Sequence, residues 1–305
     1  SPAGRTASGR APGRRGRYAW ANPNRADRSR RPLHLRIPLP AKAWHDHPVS
    51  SPSAFRLLVG VTPPDDVAAL RAALAERLAQ RSLLPPHGDR PAAATGTADH
   101  REDGGGDTAR PLALLVPVGP DENPEQVRAD LAGRIAQVPP RADLVLRTSG
   151  STTGTGRLIA MSTAALAASA RATHERLGGP GTWLLPLPAH HVAGLQILVR
   201  SLLSGTAPVV VDASTGFSPT ALAEALRSVR APTDPSVGSD GPRLHTSLVP
   251  TQLVRVLRDP AASRALAEAD AVLLGGAAAD PALLARARRA GITVVTSYGM
   301  SETGG

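Results

Sequence analysis

The stretch TWLLPLPAHHVAGLQILVRSLLSGTAPVVVD, residues 182–212, decides the fold. It opens on an apolar run, passes two histidines into a segment of helical spacing (192–203), and closes on a second apolar run. Neither run alternates apolar with polar residues, so each is predicted as a strand buried on both faces. A strand, a helix and a second such strand are the unit of a parallel sheet covered by helices.

The same rhythm extends in both directions. DLVLR from Asp143, LHTSLV from Leu244, AVLLGG from Ala271 and ITVVTS from Ile292 are further strands. Helices are expected over 163–177, 218–229, 250–258 and 280–290, with Ser162 capping the first and Gly178 stopping it. Upstream, 55–61 and 112–118 are expected strands. A helix after Pro63 and Pro64 carries Val67, Leu70, Leu74 and Leu78 on one face and Asp65 and Asp66 in its first turn. A further helix is expected over 124–138. The predicted fold class is α/β, with parallel-rich sheets covered by helices. The polar Gly/Pro-rich segments 85–110 and 230–243 are expected as a flexible insertion and a loop.

Charge is concentrated at one end of the chain. Residues 1–50 hold ten Arg and Lys42 against Asp27 and Asp46, so nearly all of the formal net charge of +10 sits there. Residues 1–54, rich in Arg, Pro, Ser and Gly, are expected as a disordered basic tail or a non-native leader. A nucleic-acid-binding arm is the competing possibility, and the absence of a known nucleic-acid-binding module argues against it. Residues 55–305 are expected to fold as one domain. The chain has no cysteine, which excludes disulfides, thiolate metal sites and cysteine nucleophiles. No apolar run is long enough to span a membrane and no signal-peptide core is evident, so the default expectation is a cytoplasmic protein.

Four strand-end segments carry chemistry. The first is Arg147, Thr148, Ser149, Gly150, Ser151, Thr152, Thr153, Gly154, Thr155, Gly156 and Arg157. Its small and hydroxylated residues suit close approach to an anion, although it lacks the Walker A pattern. Composition alone leaves a plain Ser/Gly/Thr connector equally open; the place after a strand favours a ligand. The second is His190 and His191 ahead of Gly194 and Gln196. Adjacent histidines do not face the same way on a helix, and no third ligand stands at metal spacing, so a cleft-wall or capping histidine is favoured over a metal site. The third is the turn Gly275, Gly276, Ala277, and the fourth is Tyr298, Gly299, Met300, Ser301, Glu302. Glycines admit a flat ring against the backbone, a tyrosine stacks on it, a serine donates to phosphate, and a glutamate offers a hard oxygen to Mg²⁺.

Taken in order, these four segments resemble the core motifs of the acyl-adenylate-forming (AMP-binding) enzyme superfamily, over residues 143–305. The finer features LPAHHVAGLQILVRSLLSGTAPVVVD and TSLVPTQLVRVL are most similar to the o-succinylbenzoate–CoA ligases of menaquinone biosynthesis. The resemblance implies the large N-terminal domain of such an enzyme and an AMP-forming acid–thiol ligase acting on ATP, Mg²⁺, coenzyme A and a carboxylic acid. It implies that Thr148, Ser149, Gly150, Ser151, Thr152, Thr153, Gly154 and Arg157 hold phosphates. Gly275, Gly276, Ala277, Tyr298 and Gly299 would hold adenine. Ser301 would contact the α-phosphate, Glu302 would bind Mg²⁺, and His191 would line the channel to the acyl pocket near Gly194 and Gln196. Another aryl- or fatty-acyl-CoA ligase, or a non-catalytic nucleotide-binding protein with a basic tail, is the alternative.

The sequence departs from the pattern at an extra residue in Ser151, Thr152, Thr153, at Arg157 in place of the usual lysine, and at Ser301 in place of threonine. The family's ribose-binding aspartate and its small lid domain with a catalytic lysine have no counterpart within these 305 residues, so the chain is expected to be a fragment, inactive alone.

Overall fold

The computed structural model describes residues 55–60, 63–85, 113–148, 156–230 and 243–305. The expected tail 1–54, the insertion 85–110 apart from Pro85, the interior of the loop 230–243 and the phosphate-loop residues 149–155 lie outside the described residues.

Two sheets organise the described chain. The first is ordered β1 (Phe55–Val59), β2 (Leu114–Val118), β3 (Leu144–Arg147), β4 (Leu158–Met161). Its first three strands are parallel, whereas β4 runs antiparallel to β3 with Arg147 opposite Leu158 and Leu144 opposite Met161. The second is fully parallel: β6 (Val209–Val210), β5 (Thr182–Leu185), β7 (Leu244–Leu248), β8 (Ala271–Leu274), β9 (Val294–Thr296), in that spatial order. Its crossovers are α4 (Val192–Leu203), α5 (Pro219–Arg230), the pair α6 (Pro250–Val256) and α7 (Pro260–Ala267), and α8 (Pro281–Arg289). Helices α1 (Pro64–Gln80), α2 (Pro124–Arg134) and α3 (Thr163–Arg176) complete the set.

Side-chain alternation along the strands fixes the layers. On β5, Trp183 and Leu185 join the core beneath α1, α3 and α4, whereas Leu184 joins the core beneath α5–α8. On β3, Leu144 and Leu146 face that same central core, whereas Val145 faces α2. The central helices are thus sandwiched between the two sheets. Helix α4 is the most enclosed of them, with nine of its twelve residues buried, as an almost entirely apolar helix must be.

Local chemistry explains the boundaries. The Ser162 hydroxyl accepts from Ala165 N–H at 3.2 Å, and the Gly179 N–H closes α3 on the His174 carbonyl at 2.7 Å, with Gly178 at φ +84°. Leu158–Met161, after the Ser/Gly/Thr segment, form β4 and return antiparallel to β3. The expected helix 250–258 ends early, and α7, absent from the pattern, restarts at Asp259, whose carboxylate accepts from Ala261 and Ala262 N–H. Pro260 at N1 makes that restart cheap.

Candidate active site

The C-terminal ends of β7, β8 and β9 open into two adjoining cavities of about 400 and 540 Å³. Gly275 lines the first cavity, Ala277 the second, and Gly276, Tyr298 and Gly299 line both. Ligands of open α/β sheets bind at such strand ends. Gly276 takes a left-handed φ of +78°, which favours glycine, and a Cβ on Gly275 would crowd the Ser297 hydroxyl. Tyr298 stands 92% exposed at the mouth, a flat ring presented to solvent rather than used in a core.

Beside this mouth, Thr148 and Arg157 form the neck of the β3–β4 hairpin. The Thr148 N–H donates to the Arg157 carbonyl, and the Arg157 N–H donates to the Thr148 hydroxyl, both at 3.0 Å. Of the expected phosphate-binding residues, Ser149, Gly150, Ser151, Thr152, Thr153 and Gly154 lie outside the described residues. The Arg157 guanidinium reaches the Glu302 carboxylate at 3.7 Å, both side chains being largely solvated. Hairpin neck and the 3-10 turn Ser301–Thr303 are therefore neighbours.

His191, Ser301 and Glu302 do not line either cavity, nor does Gly194. A Cβ on Gly194 would overlap the Pro188 carbonyl, so this glycine lets α4 start close against the preceding loop. His191 occupies the N-cap position of α4. Because that position is not helical, the two imidazoles can meet: the His190 and His191 ring centroids lie 4.1 Å apart, against the expectation that adjacent histidines diverge. His190 is held by Gly60, whose carbonyl lies 2.7 Å from both its N–H and its Nδ1. Desolvation by the surrounding protein and repulsion from His190 lower the His191 pKa, opposed by Glu122. Among the described residues no group of three or more His, Asp or Glu side chains is placed to hold a metal ion.

The wall of the first cavity contains a residue that the sequence pattern conceals. Arg200 is only 6% exposed and lines this cavity together with Gln196, one turn earlier on α4, and Ser247 from β7. No carboxylate pairs with Arg200 among the described residues. Its Nε, the Gln196 Oε1 and the Ser247 hydroxyl are all buried without a hydrogen-bond partner there. Burial lowers the guanidinium pKa to about 10, which still leaves it cationic at neutral pH. Its face lies over the Trp183 ring, 5.1 Å from the centroid. The Gln196 amide nitrogen is engaged, donating to the Gly304 carbonyl at 2.5 Å. An unpaired buried cation is costly, and an anion entering the cavity would offset that cost. Gln196 and Arg200 stand four apart in a mostly apolar helix, a pair that is read as a site only once its burial is seen.

Comparison with known proteins gives the family and the fold. The AMP-binding enzyme family model matches residues 100–305. A probable 2-succinylbenzoate–CoA ligase of Mycobacterium tuberculosis is 51% identical over 162 residues, 53% of this chain and 39% of that protein. The 2-succinylbenzoate–CoA ligase of Lactococcus lactis is 29% identical over 170 residues, 55% of this chain and 34% of that protein. The chain thus spans well under half the length of these relatives. The unliganded o-succinylbenzoate coenzyme A synthetase of Bacillus subtilis shares the fold, with a TM-score of 0.50 at 18% identity over 83% of this chain and 60% of that one.

Proposed function

This chain belongs to the AMP-binding enzyme family, and from that premise we propose that it is the large domain of an AMP-forming ligase that joins o-succinylbenzoate to coenzyme A. The observation that carries the choice of acid is Arg200, a buried cation without a carboxylate partner among the described residues, in the wall of the 400 Å³ cavity. o-Succinylbenzoate is a dianion. One carboxylate reacts and the other needs a cation at a distance from the reacting centre. The similarity to the mycobacterial ligase supports the same acid.

In the first step the reacting carboxylate oxygen attacks the α-phosphorus of ATP, and the bond to pyrophosphate breaks. In the second the thiol sulfur of coenzyme A attacks the acyl carbon, AMP leaves, and the thiol proton passes to solvent. Both steps build charge on oxygen, so positioning and electrostatics supply the catalysis. On this proposal Thr148, Arg157 and residues 149–154 hold the triphosphate, and Gly275, Gly276, Ala277 and Gly299 receive adenine beneath Tyr298. Ser301 donates to the α-phosphate, and His191 borders the passage between nucleotide and acid. Gln196 and Arg200 receive the acid, with Gly194 giving α4 its close approach. Glu302, a hard oxygen whose described partner is the solvated Arg157, fits a Mg²⁺ ligand; the ion would neutralise phosphate charge. Among the described residues no helix is long and apolar enough to cross a membrane. A cytoplasmic location, where ATP and coenzyme A are supplied, is part of the proposal.

The test is pyrophosphate release by the full-length protein on a panel of acids. o-Succinylbenzoate should exceed benzoate, malonate and a medium-chain fatty acid in kcat/KM by at least about 10²-fold, the scale of one buried charge interaction. A monoanionic fatty acid as the best substrate would overturn the choice of acid while leaving the adenylation chemistry intact.

A further inference from the structure

Trp183 on β5 is the largest of the fully buried side chains among the described residues, with no exposed surface. It does not line either cavity. A buried tryptophan ordinarily spends its indole N–H on an acceptor, yet this Nε1 has none among the described residues. The polar edge of the ring therefore does not explain why an indole, rather than a leucine, fills the site. Its π face does. The Arg200 guanidinium carbon lies 5.1 Å from the ring centroid, within the range of a cation–π contact. The ring is held in turn by two others, His245 at 5.1 Å and His174 at 6.3 Å between centroids. His174 is itself fixed by a 3.3 Å contact between its Nε2 and the Ser204 hydroxyl, just past the end of α4.

We propose that Trp183 is a positioning residue for the acid substrate: its indole face holds the Arg200 guanidinium in the cavity wall, ready for the substrate's distal anion. The cation lacks a carboxylate to pair with among the described residues, and a permanent carboxylate would compete with the substrate for it. A ring quadrupole supplies attraction without a competing charge. It favours the guanidinium whether or not the acid is bound, so little reorganisation is needed when the acid arrives. The proposal rests on assigning the cavity to the acid.

The experiment compares Trp183→Phe and Trp183→Leu in the full-length protein, measuring KM for o-succinylbenzoate and for ATP, with kcat, by pyrophosphate release. Trp183→Phe keeps an aromatic face and should hold KM for the acid within about threefold. Trp183→Leu should raise it roughly tenfold or more, the scale of a desolvated cation–π contact. KM for ATP should stay unchanged in both. Replacing Trp183 by fluorinated tryptophans of nearly the same volume gives a readout that packing alone does not move, and it decides the matter if the leucine variant does not fold. KM for the acid should climb with each added fluorine, and the climb should vanish in an Arg200→Met background. A flat fluorine series overturns the positioning role. Absence of any o-succinylbenzoate-dependent turnover in the unsubstituted protein overturns the substrate assignment instead.

Discussion

Arg200 is a cation placed where a side chain of its size and polarity is rarely left unpaired. Two opposite consequences follow from its burial. On the proposed assignment, replacing it by methionine removes the partner of an anionic substrate group, and KM for o-succinylbenzoate should rise about 30-fold or more. The same change relieves the desolvation of a lone charge, so the melting temperature should be equal or higher. A fall in stability with unchanged KM would show that the guanidinium serves the core and not the substrate. This residue also marks the limit of what the sequence discloses. In a chain with 35 basic residues, one more arginine carries no signal until its burial is seen. Tyr298 and the glycines at 275 and 276 are legible because their residue types stand out at strand ends, and Gln196 because it interrupts the apolar run of α4. His191 and Gly194 are legible as a motif, but their distance from the cavity walls is a matter of how α4 begins.

Among the elements, the junction of α1, β3 and α3 depends on one carboxylate. Asp143, 1% exposed, accepts from the N–H and hydroxyl of Thr163 at 2.8 Å each and from Arg81 at 2.9 Å, with Arg77 at 3.9 Å. Desolvation alone would raise its pKa, but the Thr163 N–H, then Arg81 and the Thr163 hydroxyl, bring it below the usual aspartate value. A lowered carboxylate stabilises the fold above the unfolded-state pKa of about 4, and that stability is lost as pH falls through the folded value. Asp143→Asn should cost about 3 kcal/mol at neutral pH, because Arg77 stays buried without its counter-charge. Urea denaturation of both proteins checks this, and a difference within experimental error would contradict it. Strand and helix periods reveal most of these elements from sequence. They do not reveal the reversal of β4, because a short strand buried on one side reads the same in either direction. They also miss α7, whose start depends on the local capping by Asp259 rather than on a long apolar period.

For the whole molecule, the layering of two sheets around a central set of helices was not legible, because strands buried on both faces carry no mark of which sheet they join. That layering puts His174 and His245 in the interior beside Arg200. Burial, followed by repulsion from Arg200 and His245, lowers the His174 pKa from 6.5 to about 4. The unfolded chain then binds a proton that the folded one refuses, so stability is full above pH 6.5 and declines as pH falls toward 4, by up to about 3 kcal/mol for this group. A melting-temperature profile should slope downward across that window, and His174→Gln should flatten it. An unchanged slope in the variant would assign the acid lability elsewhere. On the proposed function, the interior charge and the strand-end cavities serve one reaction, the activation of a dianionic acid with ATP. Exchange of labelled pyrophosphate into ATP by the full-length protein, without coenzyme A, tests it most directly. Exchange should depend on o-succinylbenzoate and should fall at least about tenfold in kcat/KM with 4-oxo-4-phenylbutanoate, which lacks the aromatic carboxylate. Equal exchange with the two acids, or none with either, would contradict the claim.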